Sequence, residues 1–193
     1  MTPRRVSHRG IPDTVELWQN RCMSDRLSFP DGSEYVVVDS PPDPEHQPLV
    51  MEFLLAPHCQ APPPHIHPGA QRETFEVLDG AFELRRGRSW QRLEASQSLT
   101  VEAREVHTFR NHESGPARVR NVHDPAHSFE RYIRRIHGVV TQHGFTRISP
   151  RAALYLAMLM REHADTIVPA MPLRLPTALA ATAGRALGLR LPD

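Results

Sequence analysis

From about residue 34 to residue 123, apolar and polar positions alternate with the period of strands. The predicted strands are 34–38, 49–55, 74–84, 91–93, 99–101, 106–109 and 117–122. Asp79-Gly80 divides the longest of these, and Asp-Gly between apolar runs signals a hairpin whose turn needs positive φ. Short strands at this spacing predict an all-β sandwich or barrel. Two proline-rich links, at 41–44 and 62–64, cannot pair as central strands and read as rigid loops.

The period changes near residue 128. Phe129, Tyr132, Ile133 and Ile136 recur at i, i+3, i+4, i+7, an amphipathic helix with Ser128 as N-cap and Gly138 as its stop. A second helix starts at Ser149-Pro150 and ends near His163. Its middle, 154–160, is apolar all round, so it has two faces to bury. One is expected on the barrel and one on a neighbour, which suggests a homodimer. A third, shorter helix over 177–189 is weakened by Gly184 and Gly188. The chain therefore divides into an N-terminal arm (1–30), a barrel (31–127) and a helical extension (128–193) packed on the barrel, on a partner subunit, or on both.

Composition narrows the function. A chain of 193 residues with net charge +1 lacks the basic surface of a nucleic-acid binder. The longest apolar run, 152–160, is too short to span a bilayer, and no apolar stretch follows Arg4 and Arg5 as a signal peptide would require. All 23 basic residues are arginine, which excludes lysine Schiff-base chemistry and a Walker-type phosphate loop. Cys22 and Cys59 form no C-x-x-C pair and read as reduced thiols of a cytoplasmic protein. The twelve histidines point to metal.

His65 and His67 stand at i and i+2, which on a strand puts both imidazoles on one face as a chelating pair. Glu73 opens the next strand and can add a carboxylate oxygen. Phe75 and Val77 share its parity and should line the interior with it. On a later strand, Phe109 and Asn111 share the parity of His107; if that strand crosses the barrel opposite the pair, His107 is a fourth ligand. His123 and His127, at i and i+4 around Pro125, read as a loop pair, although His123 could sit at the barrel mouth. Arg118 and Arg120 share one face. If that face is the interior, Arg120 could bind a substrate carboxylate; if not, both are surface charges.

The segment Pro62–Gly80 resembles the first motif of the cupin superfamily, G-x5-H-x-H-x(3,4)-E-x6-G. His65, His67, Glu73 and Gly80 take the two histidines, the glutamate and the closing glycine. His107 and Asn111 match the H-x3-N of the second motif. The resemblance covers roughly residues 34–123. It implies a double-stranded β-helix (jelly-roll) barrel with two or three C-terminal helices, and a metal near the mouth. His65, His67, Glu73 and His107 would hold Fe, Mn, Ni or Zn.

There are departures. Cys59 stands where the first motif has its leading glycine, and five residues rather than three or four separate His67 from Glu73. Ser96, Glu102 and Arg104 replace glycine, proline and glycine of the second motif. Arg104 resists positive φ by about 1 kcal/mol, so a differently shaped turn is expected there. Three function classes follow. One is a metal-dependent enzyme of dioxygenase, isomerase or cyclase type, working on a small, fairly apolar molecule bound among Phe75, Val77, Phe109, Asn111 and Arg120, with Glu73 as ligand or base. The second is a non-catalytic small-molecule-binding protein with a weak or empty metal site. The third is a purely structural metal site.

Overall fold

The computed structural model describes residues 25–59 and 62–192. Most of the expected N-terminal arm, with Cys22, lies outside those residues, and the part inside forms a strand. Among the described residues, eleven strands are arranged as two antiparallel sheets. The first sheet orders β1 (Arg26–Ser28), β2 (Glu34–Asp39), β3 (Leu49–Leu55), β10 (Ala117–Asp124), β5 (Arg72–Asp79) and β8 (Ser98–Val101). The second orders β11 (Val168–Pro169), β4 (His65–Ile66), β9 (His107–Arg110), β6 (Ala81–Arg86) and β7 (Ser89–Glu94). The inner faces meet through aromatic rings: Phe53 stacks on Phe109 with centroids 6.1 Å apart, and Phe75 lies 5.7 Å from Phe82. This is the expected jelly roll.

The alternation read from the sequence is the alternation of faces. On β10, Ala117, Val119, Asn121 and His123 are buried, while Arg118 and Arg120 lean outward. Both arginines reach the carboxylate of Glu52 on β3, and Arg120 also donates to Glu76 on β5 at 3.0 Å. Arg120 therefore belongs to a charged ladder on the outer face and not to an interior pocket.

Gly80 closes the predicted hairpin with φ +74°. A Cβ there would lie 2.5 Å from the Pro116 carbonyl oxygen, so both backbone conformation and space demand glycine. Ser96 and Arg104 adopt φ of 70° and 65°. The turn at Arg104 thus keeps the left-handed conformation that the substitution was expected to change, held by the Arg104 N–H bonded to the His67 carbonyl at 2.9 Å. At the other departure the positive φ falls on His58, one residue before Cys59.

Three helices follow the barrel: α1 (Phe129–His143), α2 (Pro150–Glu162) and α3 (Arg174–Ala186). Helix α1 runs through Gly138 and ends at Gly144, whose φ of 63° and N–H to the Val140 carbonyl make the stop. Gly138 is retained inside the helix because Pro192 packs where its Cβ would be, at 3.2 Å. Ser149 caps α2 as predicted, accepting from the Ala152 N–H. The second face of α2 is covered by α3 of the same chain. Ala157 and Met158 pack on Ala181, and the absent side chain of Gly184 admits the Met158 sulfur. Leu175 and Leu179 of α3 remain mostly exposed.

Helices α1 and α2 are locked at one end by a polar cluster. The Ser128 hydroxyl donates to Asp165 and lies 2.8 Å from His163 Nδ1, and Arg135 bonds Glu162 and approaches His163 Nε2. Burial, reinforced by the Arg135 charge, lowers the pKa of His163. A neutral buried histidine binds fewer protons than its unfolded counterpart. Stability is therefore complete above about pH 6.5 and falls as acid carries the pH from there towards the lower folded value. We expect His163→Gln to flatten this acid slope in urea titrations between pH 7 and pH 5. We expect Gly80→Ala to cost more than about 2 kcal/mol in the same assay.

Candidate metal centre

The two sheets meet at a cluster of buried donors. Strand β4 carries His65 and is followed at once by His67, and His65 pairs in register with His107 of β9. Glu73 enters from β5 of the opposite sheet. One ligand atom from each of the four lies within 4.8 Å of every other, and all four side chains are buried. The sequence-predicted ligand set is brought together in full.

The hydrogen bonds around these side chains decide which atoms face inward. A carbonyl can only accept, so each of three imidazoles donates Nδ1–H outward: His65 to Pro63 O (2.9 Å), His107 to Glu105 O (3.0 Å) and His67 to Thr166 O (2.6 Å). In the neutral rings the Nε2 lone pairs are left to the centre. Glu73 Oε1 accepts from the Asn121 amide at 2.8 Å, which turns Oε2 towards the same centre. His67 Nε2 lies 3.1 Å and His107 Nε2 2.7 Å from that oxygen, and the latter nitrogen has no hydrogen bond of acceptable geometry. Two nitrogen lone pairs aimed at one carboxylate oxygen repel unless a cation joins them. A proton can satisfy one such pair; a divalent ion satisfies all four donors. The donor set of three imidazoles and one carboxylate, each oriented from outside, fits a transition ion.

For Glu73 and His65 the electrostatics agree in direction. Burial acts to raise the Glu73 pKa, but His123, His107 and His67 outweigh it and hold the carboxyl well below its ordinary range. Burial and its histidine neighbours push His65 well down, which keeps it neutral and able to ligate. For His107 burial works downward and the adjacent Glu73 carboxylate upward, with a net rise.

His123 was read from the sequence as half of a loop pair. It is instead the inward residue of β10 opposite Glu73, fully buried, with Nε2 3.3 Å from Glu73 Oε1 and its ring stacked 3.5 Å from Phe129. Burial lowers its pKa to about 4. His127 turns away to Glu45 at 3.0 Å. The signal that places His123 in the sequence is its parity with Val119 and Asn121.

Beside the ligands lies a cavity of about 250 Å³. His65 and Glu73 are among the residues that line it. Its walls are barrel aromatics, Tyr35, Phe53 and Phe109, and apolar side chains of α1 and α2, among them Tyr132, Ile136 and Leu156. Of the residues expected to line the pocket, Phe109 does. Phe75 and Val77 sit deeper, in the closed core. Asn111 is a turn clamp, donating to Leu55 O and Gly115 O while accepting from Glu113 N–H. Arg120 is on the outside, as described.

Residues 51–123, which span the donor cluster, match the family model described as Cupin domain. That segment resembles the cupin family. Similar solved structures include the cupin domain of an XRE family transcriptional regulator from Enterobacter cloacae, 20% identical, covering 48% of this chain and 95% of that one with a TM-score of 0.41. A predicted oxalate decarboxylase from Thermotoga maritima is 17% identical, covering 48% and 79% with a TM-score of 0.44. A cupin-superfamily sugar phosphate isomerase from Silicibacter pomeroyi is 21% identical, covering 49% and 60% with a TM-score of 0.42. No curated protein matches the chain. These likenesses say nothing of its chemistry. Thr166 and the helices of the cavity wall lie beyond the matched segment.

If the four donors hold an ion, protein purified without chelator should carry about one equivalent of transition metal per chain. His65→Ala and His107→Ala should each lose it, measured by elemental analysis of folded protein.

Proposed function

We propose that this cupin-like domain is a metal-dependent enzyme for a small, largely apolar organic molecule. The observation that carries this reading is the continuity of the apolar cavity with the donor cluster: His65 and Glu73 belong to both. His65, His67, Glu73 and His107 would hold a divalent ion, which when bound would supply a Lewis acid or a redox centre.

The chain's own residues do the rest. Phe53, Phe109, Phe129 and Tyr132 offer flat apolar surface suited to an aromatic or polyketide-like body. Helices α1 and α2 supply part of the chamber wall beside His65 and Glu73. Glu73 is anchored by Asn121 and its pKa is depressed, so it serves as a ligand and is too weakly basic to be the preferred proton acceptor. Arg120, committed to Glu52 and Glu76, takes no part.

A non-catalytic binding protein would use the same cavity without depending on the ion. Filling the chamber separates cavity from metal. Leu156→Trp, from α2, should abolish binding or turnover of candidate phenolic substrates, followed by calorimetry and oxygen uptake, while metal content stays near one equivalent. Unchanged binding in that variant would place the ligand elsewhere. Ligand binding that survives metal removal, with no turnover of any candidate, would favour the binding protein.

A further inference from the structure

The three imidazoles of the donor cluster are not oriented in the same way. His65 and His107 each give Nδ1–H to a carbonyl two residues back in their own chain segment, Pro63 O and Glu105 O. His67 gives its proton to Thr166 O, 99 residues later in the chain, through the shortest of the three bonds at 2.6 Å. Two ligands thus carry their own orienting partner, and the third borrows its partner from the helical extension.

Thr166 is held in place from several directions. It is fully buried, and its N–H bonds the His163 carbonyl at the end of α2 at 3.0 Å. Its hydroxyl donates to Gln71 Oε1 at 2.8 Å. The Gln71 amide, also fully buried, donates to Pro125 O and Ala126 O just before α1. Immediately after Thr166, β11 pairs with β4, setting Val168 against Ile66 and Pro169 against His65, and the Ala170 N–H bonds Pro64 O. Gln71 lies within the spacer between His67 and Glu73 that is longer than the first motif's pattern. That spacer and the segment after α2 therefore grip each other behind a ligand.

We propose that Thr166 is a positioning residue for the metal centre, so that docking of the helical extension and binding of a metal ion at His67 favour each other. This rests on the ligand assignment made above. The physical reason is that the Thr166 carbonyl selects the His67 tautomer with its Nε2 lone pair inward and fixes the ring plane. Undocking residues 163–170 removes that partner and leaves the ring free to turn. Because coupling is reciprocal, an ion that needs His67 in this orientation stabilises the docked extension. The helices that wall the cavity flank this segment in the chain.

The test uses the full chain and Zn²⁺ as probe. Thr166→Val keeps the carbonyl and shape but breaks the Gln71 link; we expect Zn²⁺ affinity, from competition with a chromophoric chelator, to fall about ten- to a hundred-fold. Thr166→Ser should restore it to near the native value. A merely structural role would lower the melting temperature of the metal-free protein without changing the affinity of the folded form. The second measurement needs no variant: hydrogen exchange on the native chain with and without Zn²⁺. Slower exchange at the amides of residues 163–170, with little change at the outer hairpin 81–94, is the expected result. Native affinity in folded Thr166→Val, or unchanged exchange at 163–170 on saturation with Zn²⁺, would overturn the proposal. Failure of the native protein to bind Zn²⁺ at all, or binding undiminished in His107→Ala, would instead overturn the ligand assignment on which it rests.

Discussion

The buried carboxylate of Glu73 sets the terms for the middle of this molecule. An ionised carboxylate out of water is costly unless it is paired. Here its partners come from every side: Asn121 and His123 from its own sheet, His107 and His67 from the other. The pairing of β5 with β10 and of β4 with β9 can be read as what is needed to deliver those groups. With the Nδ1 protons of three rings drawn outward to carbonyls, the arrangement is satisfied best by an ion at its centre.

The barrel and the four clustered donors were legible because they obey local rules. Asp79-Gly80 announced the hairpin, and a two-residue spacing put His65 and His67 on one face. Glu73 and His107 lay at spacings that resembled a known pattern. What escaped was non-local. Arg120 has the same alternation whether its face is inside or outside, and only the acids on the neighbouring strands, Glu52 and Glu76, settle it. Gly138 reads as a helix stop until Pro192 is seen to occupy its missing side chain. Arg104 reads as an obstacle to a tight turn until the His67 carbonyl is seen to hold it there.

Thr166 illustrates the limit most clearly. A backbone carbonyl has no signature in a sequence, and its partner is 99 positions away. The helices have the same character: the amphipathic period of α1 and the apolar middle of α2 were plain, but not that both would wall an apolar cavity and that α2 would also meet α3. The extension is thus both wall and brace, a role that neither its composition nor the family pattern over 51–123 displays.

The strand order also carries a consequence for how the protein is made. Strands β3 and β5 are not paired with each other; each pairs with β10, which is the last strand of that sheet to be synthesised and lies between them. Until that strand emerges, both expose unpaired edges, one of them rich in Leu, Val, Met and Phe. A nascent chain that stalls before residue 117 would present these edges to its neighbours. Both edges are covered only when one late strand arrives.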